Sequence, residues 1–257
     1  MCFSTKASVV SWTIALAASL YLFRRNEPND RWIASFTITF SLIQIIESGL
    51  WATQTSGIQT DCKSKWCLLD DQNKMVLDGI DDDRKRKINS LLTKFILVAL
   101  WLQPLVHSAA GYMTTQSKTL LAGTLVFFVT FLIAIIAVLK KSNGPSDEWK
   151  SEPGPNGHLI WYRPGASGMD FVKLLDGTPI TSMMYMAGLL LPPLFMKPSG
   201  KGAVMTTFGI TSFFVAKWTS NPNEFSSNWC YISVIYPLVA IVYPHAIKQI
   251  SRVFEFC

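Results

Sequence analysis

Charged side chains are scarce in this chain: Asp, Glu, Lys and Arg make up 16% of it, against 49% hydrophobic residues. A soluble domain carries about a quarter charged residues, enough to break up long apolar runs. Cysteine is sparse too. Cys2, Cys62, Cys67, Cys230 and Cys257 are scattered and odd in number, which argues against a disulfide framework, and only Cys62 and Cys67 are close enough to suggest a local disulfide or half a metal site. There is no Gly-rich phosphate loop, no G-x-S-x-G elbow, no H-E-x-x-H helix, no retinal-type lysine in the last span and no internal repeat of the transporter kind. The reading therefore includes no metal and no cofactor, leaves catalytic residues unknown, and on the question of an enzyme leans to no. The net charge of +6 fits basic flanks beside a membrane. Nucleic-acid binding would need a folded basic module, and the sequence contains none.

What is abundant is apolar runs of spanning length. They lie at 7–23, 32–53, 88–113, 119–139, 180–196, 203–218 and 229–247, and the mean hydropathy is +0.28. The expectation is an all-α fold, a polytopic transmembrane bundle of about seven helices forming a single domain over 1–257. In the first run, Ala15-Leu16-Ala17 mimics a signal-cleavage site, but the apolar stretch continues through Phe23 and points to an uncleaved helix. The turn-rich Arg24–Arg31 predicts a hairpin between helices one and two. Two polar loops, 54–87 and 142–178, interrupt the bundle. Asp81-Asp82-Asp83 before Arg84-Lys85-Arg86-Lys87 suits a helix start and its dipole, which extends the third helix out of the membrane. In the second loop, His158–Tyr162 and Asp170–Leu175 flank Arg163–Gly168 and suggest a small hairpin lying over the bundle. Lys and Arg favour the side of the N-terminus, which predicts a cytosolic N-terminus, although Arg24-Arg25 argue the other way.

The candidate site lies in the second run. At 100° per residue, Thr37, Ser41, Gln44, Glu47, Ser48 and Trp51 share roughly a third of the helix circumference. An acid at that depth is costly unless the protein receives it, and such acids are functional candidates by default. Helix three contributes Lys94, Trp101, Gln103, Pro104 and His107. Glu47 and Lys94 both lie about 10 Å in from the same loop on consecutive antiparallel helices, so they are an expected ion pair. The candidate ligand-binding set is Gln44, Glu47, Trp51, Lys94, Trp101 and Gln103. His107 and His245 form a weaker pair without ligand spacing. Met183, Met184 and Met186 read as adaptable packing, and Cys2 as either a reactive thiol or a small packed residue.

The opening Met1-Cys2-Phe3-Ser4 with Ala7-Ser8, together with Gln44-x-x-Glu47-x-Gly49-x-Trp51, resembles an uncharacterised family of small multi-pass membrane proteins that begin Met-Cys-Phe-Ser, found in bacteria and large DNA viruses. The likeness covers the first two helices and reaches Trp101 and Pro104 in the third. It implies a fold and no activity. Three functions stay open. The first is a polar intramembrane site around Glu47 that binds or moves a small solute, a lipid head group or a proton. The second is a structural or interaction protein in which the seam only fixes helix packing. The third is a membrane-embedded enzyme.

Overall fold

The computed structural model describes residues 4–54, 82–141, 148–174 and 180–244. Among the described residues seven helices are present: α1 (Thr5–Arg25), α2 (Asp30–Ala52), α3 (Asp82–Thr115), α4 (Lys118–Lys141), α5 (Ile180–Leu190), α6 (Ser199–Thr219) and α7 (Phe225–Ile232). A 3-10 turn at Ser233–Ile235 carries α7 onward to Pro244. Five of these stretches are long and apolar enough to cross a membrane: α1, α2, α3, α4 and Phe225–Pro244. The chain is a multi-pass membrane protein in contact with the bilayer. Of the other expected spans, Ile180–Phe195 is short and α6 lies outside that set.

Local chemistry explains the boundaries. The Ser4 hydroxyl caps α1 by accepting the Ala7 amide at 3.2 Å, a common way to satisfy a first-turn donor. Asn26 closes the helix with φ 54° and donates its N–H to Leu22 O, the left-handed stop that Asn tolerates. The expected α1–α2 hairpin follows. α3 begins at Asp82, outside the expected apolar span, with an exposed Asp83–Lys87 pair at 2.7 Å. At 34 residues it is about 50 Å long, more than a bilayer core requires. α4 packs on α3 and leaves Leu125, Val129, Leu132 and Ile136 outward, an apolar face suited to lipid. Near Pro104, α5 comes in close at Gly188, where any Cβ would collide with Phe127 and Pro104.

The excursion after α4 is a three-stranded antiparallel sheet in the order β1 (Lys150–Pro153), β2 (Leu159–Arg163), β3 (Ala166–Ser167). It lies after α4 as expected, but its pairing differs. The main partner of β2 lies upstream, with Ser151 opposite Trp161 and Pro153 opposite Leu159. Gly168–Val172 instead forms a 3-10 turn. The reason is packing: Phe171 turns inward against Trp149 and Trp161, and all three rings are buried. An extended strand would send alternate side chains to opposite faces; the 3-10 turn lets Phe171 and Val172 both stay buried.

The sheet is fastened across the end of α2 and the start of α3. Asn89 donates to Ser151 O at 3.1 Å and accepts the Ser151 amide at 2.8 Å, while Thr93 pairs with the Ser151 hydroxyl at 2.9 Å. Gln54 donates to the same carbonyl at 3.1 Å. At its other edge the turn is held by Glu224, which accepts the Asn156 amide at 3.0 Å. Gly154 packs so closely on that carboxyl that a Cβ would overlap it. The sheet is thus a cap over one end of the bundle.

Candidate functional site

Glu47 projects from the second-to-last turn of α2 into the space under this cap and is 3% exposed. One carboxylate oxygen accepts the Ser227 hydroxyl at 2.5 Å, and the other accepts the Gln44 side-chain amide at 3.2 Å. The Trp161 indole comes down from β2 within reach of the same carboxylate, with its N–H outside hydrogen-bond geometry. Cys230, one turn after Ser227 on α7, lies within electrostatic reach of Glu47 and of Tyr185. Among the described residues no cation pairs with the acid. The expected Glu47–Lys94 pair is replaced by neutral donors: Lys94 sits half-buried on α3 and is not among the partners of Glu47.

The other expected site residues divide into two groups. Gln103 is fully buried and its Oε1 accepts the Tyr185 hydroxyl at 2.7 Å. Trp101 meets the Tyr185 ring edge-on and donates its N–H to Val172 O at 3.1 Å. Tyr185 and Cys230 both line a narrow cleft with Leu100, Ser182 and Trp229, wide enough for a water-sized group. Trp101 and Gln103 are therefore joined to the surroundings of Glu47 through Tyr185 and Cys230. Trp51 is half-buried and packs against the apolar core. His107 lies toward the other end of α3, stacked on Phe36 at 3.9 Å and near Trp32; His245, Cys2, Cys62, Cys67 and Cys257 lie outside the described residues.

Ser227, Cys230, Tyr185 and Trp161 were not among the sequence candidates. The apolar run starting at Trp229 puts Ser227 in the loop before the last span; the observed helix starts at Phe225 and carries it inward. The sequence places Trp161 in a hairpin, but period-2 alternation cannot say which side chains that hairpin covers. A second polar centre was missed altogether. Asp30, fully buried, accepts two hydrogen bonds from the Arg25 guanidinium at 2.7 and 2.8 Å and one from Lys201 at 3.2 Å. Arg25 also donates to the Ala240 and Ile241 carbonyls. This knot ties α1, α2, α6 and the end of α7 together at the face opposite the cap.

Outside the spans, two titratable groups are buried at the cap. Burial pushes the His158 imidazole down to about 4, and burial raises the Glu224 carboxyl above its ordinary value. Compared with known proteins, the chain matches no family model, no curated protein and no solved structure. The functional reading therefore rests on the chain's own residues.

Proposed function

We propose that Glu47 is the working group of a capped intramembrane site that binds or moves a small polar solute, a lipid head group or a proton. The observation that supports it is the company the acid keeps. A carboxylate in a membrane helix is ordinarily neutralised by a cation, and here its partners are a hydroxyl and an amide. Neutral partners leave the group able to take up a proton or to exchange a hydrogen bond with a donor ligand. Gln44, Trp101 and Gln103 would line the approach, with Ser227, Cys230 and Tyr185 added to them. Likeness to the Met-Cys-Phe-Ser proteins supports the bundle and adds no activity.

A second reading has its own support. Both carboxylate oxygens already hold a donor, and Ser227 joins α7 to α2, so Glu47 also suits a purely structural clasp.

Glu47→Gln in proteoliposomes separates the two. A working site predicts a folded variant that loses proton flux or loses thermal stabilisation by a panel of small organic cations. A folded Glu47→Gln protein that matches wild type in both assays would leave only the clasp.

A further inference from the structure

Buried polar atoms in a folded protein find partners, and where the protein offers none, internal water supplies them. Three such atoms lie along one line of this molecule. On α2, Asp30, Thr37, Ser41, Gln44 and Ser48 follow at intervals of seven, four, three and four residues, which puts them on one face, and all five are buried. Gln44 uses its amide on Glu47, while its Oε1 has no hydrogen-bond partner among the described residues. The same holds for the Thr37 hydroxyl and for the Tyr236 hydroxyl on the continuation of α7. Thr37 and Tyr236 face a common narrow cavity between α1, α2 and α7, with Ser41 and Ser233 in its wall. One turn beyond Tyr236, Ala240 O meets the Arg25 guanidinium of the opposite-face knot.

We propose, building on the reading of Glu47 as a working group, that the species handled there is the proton, and that it travels along this seam through a file of internal water between Glu47 and the Arg25–Asp30–Lys201 knot. Thr37 and Gln44 are seven residues apart, about 10 Å along the axis. That gap is three or four hydrogen-bonded water spacings, with the Ser41 oxygen midway as an extra acceptor. Gln44 Oε1 accepts a hydrogen bond from the file and orients it without carrying the proton. The Thr37 and Tyr236 hydroxyls each donate and accept, so they can hand a proton from one water to the next. Transfer leaves every group as it was: one O–H bond breaks as the next forms, and Glu47 exchanges its own proton with the nearest water. The groups that face the acid are Gln44 from α2, Ser227 and Cys230 from α7, and Trp161 from the cap, none of them a competing fixed charge. The cavity beside Thr37 and Tyr236 is water-sized and has no room for a hydrated sodium or potassium ion.

Two measurements on the full-length protein test this. In proteoliposomes loaded with pyranine, under a potassium-diffusion potential, wild type should acidify several-fold faster than protein-free vesicles. Thr37→Val combined with Tyr236→Phe should cut that rate at least ten-fold, and sodium should not substitute for protons. Flux abolished by Glu47→Gln but untouched by the Thr37/Tyr236 variant would overturn the path and leave the Glu47 reading standing. Absence of wild-type proton flux would overturn the path, and the organic-cation panel would then decide the Glu47 reading alone. If the double variant does not fold, X-ray radiolytic labelling of wild type decides, because the hydroxyl radicals arise from water in place. Oxidation of buried Phe40 and Tyr236 at rates like those of interfacial side chains is the expected result. Labelling confined to exposed residues would show a dry seam and end the proposal.

Discussion

Asp30 and Glu47 are two buried acids on one helix with opposite surroundings. Asp30 has two cations and the Glu27 amide at 3.0 Å; Glu47 has neutral donors only. Removing the charge should therefore have opposite consequences. Asp30→Asn leaves Arg25 and Lys201 without their shared anion, and breaking a buried pair of this kind costs about 3–5 kcal/mol. Unfolding in detergent, followed by intrinsic fluorescence, should show a loss of that order. Glu47→Gln keeps an acceptor for Ser227 and places a neutral side chain of the same size where no cation is waiting, so its stability should hold or rise. A large destabilisation by Glu47→Gln would mean that the carboxylate is a structural clasp after all.

At the scale of elements, the cap is attached by a small number of side chains, and Asn89 is the most connected of them. It bonds the Ser151 amide and carbonyl and also the Thr53 hydroxyl at 2.9 Å. Asn89→Ala leaves those buried groups unmet, at a cost of about 1–3 kcal/mol for each unsatisfied group. The loss should be local because the bundle has its own apolar core. Hydrogen–deuterium exchange should show faster exchange across Lys150–Arg163 with α1 and α2 unchanged. Equal protection of the cap in the variant would mean that the Trp149, Trp161 and Phe171 cluster holds it unaided.

At the scale of the whole molecule, the cap makes stability depend on pH. The His158 imidazole titrates at about 4 when folded and near 6.5 when unfolded. Between those values the unfolded chain binds the extra proton. Stability is therefore complete above about pH 6.5 and falls as the pH drops toward 4, by about 3 kcal/mol in total. Glu224 acts in the opposite sense: its raised value means the unfolded chain gives up its proton first, so stability falls as the pH rises through its range. Thermal unfolding across pH 4 to 7 should show an acid-side slope that His158→Gln flattens and Glu224→Gln does not. An unchanged slope in His158→Gln would assign the acid sensitivity to other groups.

The long apolar runs determined that α1–α4 and the last span exist, because a stretch of spanning length with few charges has one favourable environment and one backbone geometry that satisfies it. The acids ahead of the bases before Ile88 likewise announced that α3 extends beyond its apolar part. The polar arc of α2 was legible for the same reason: helical periodicity alone places Thr37, Ser41, Gln44 and Glu47 on one face. Periodicity describes a single helix and says nothing of which neighbour meets that face. By depth Lys94 is the apparent partner, yet α7 supplies the Ser227 hydroxyl and the cap sets the Trp161 ring beside the acid, residues 180 and 114 positions away in the chain. The knot of Arg25, Asp30 and Lys201 escaped notice for the same reason, since its members read as ordinary loop charges until α6 packs beside the α1–α2 turn. Only tertiary packing decided whether each buried acid would face cations or neutral donors, because a side chain's electrostatic environment is set by every element around it and not by the helix that carries it.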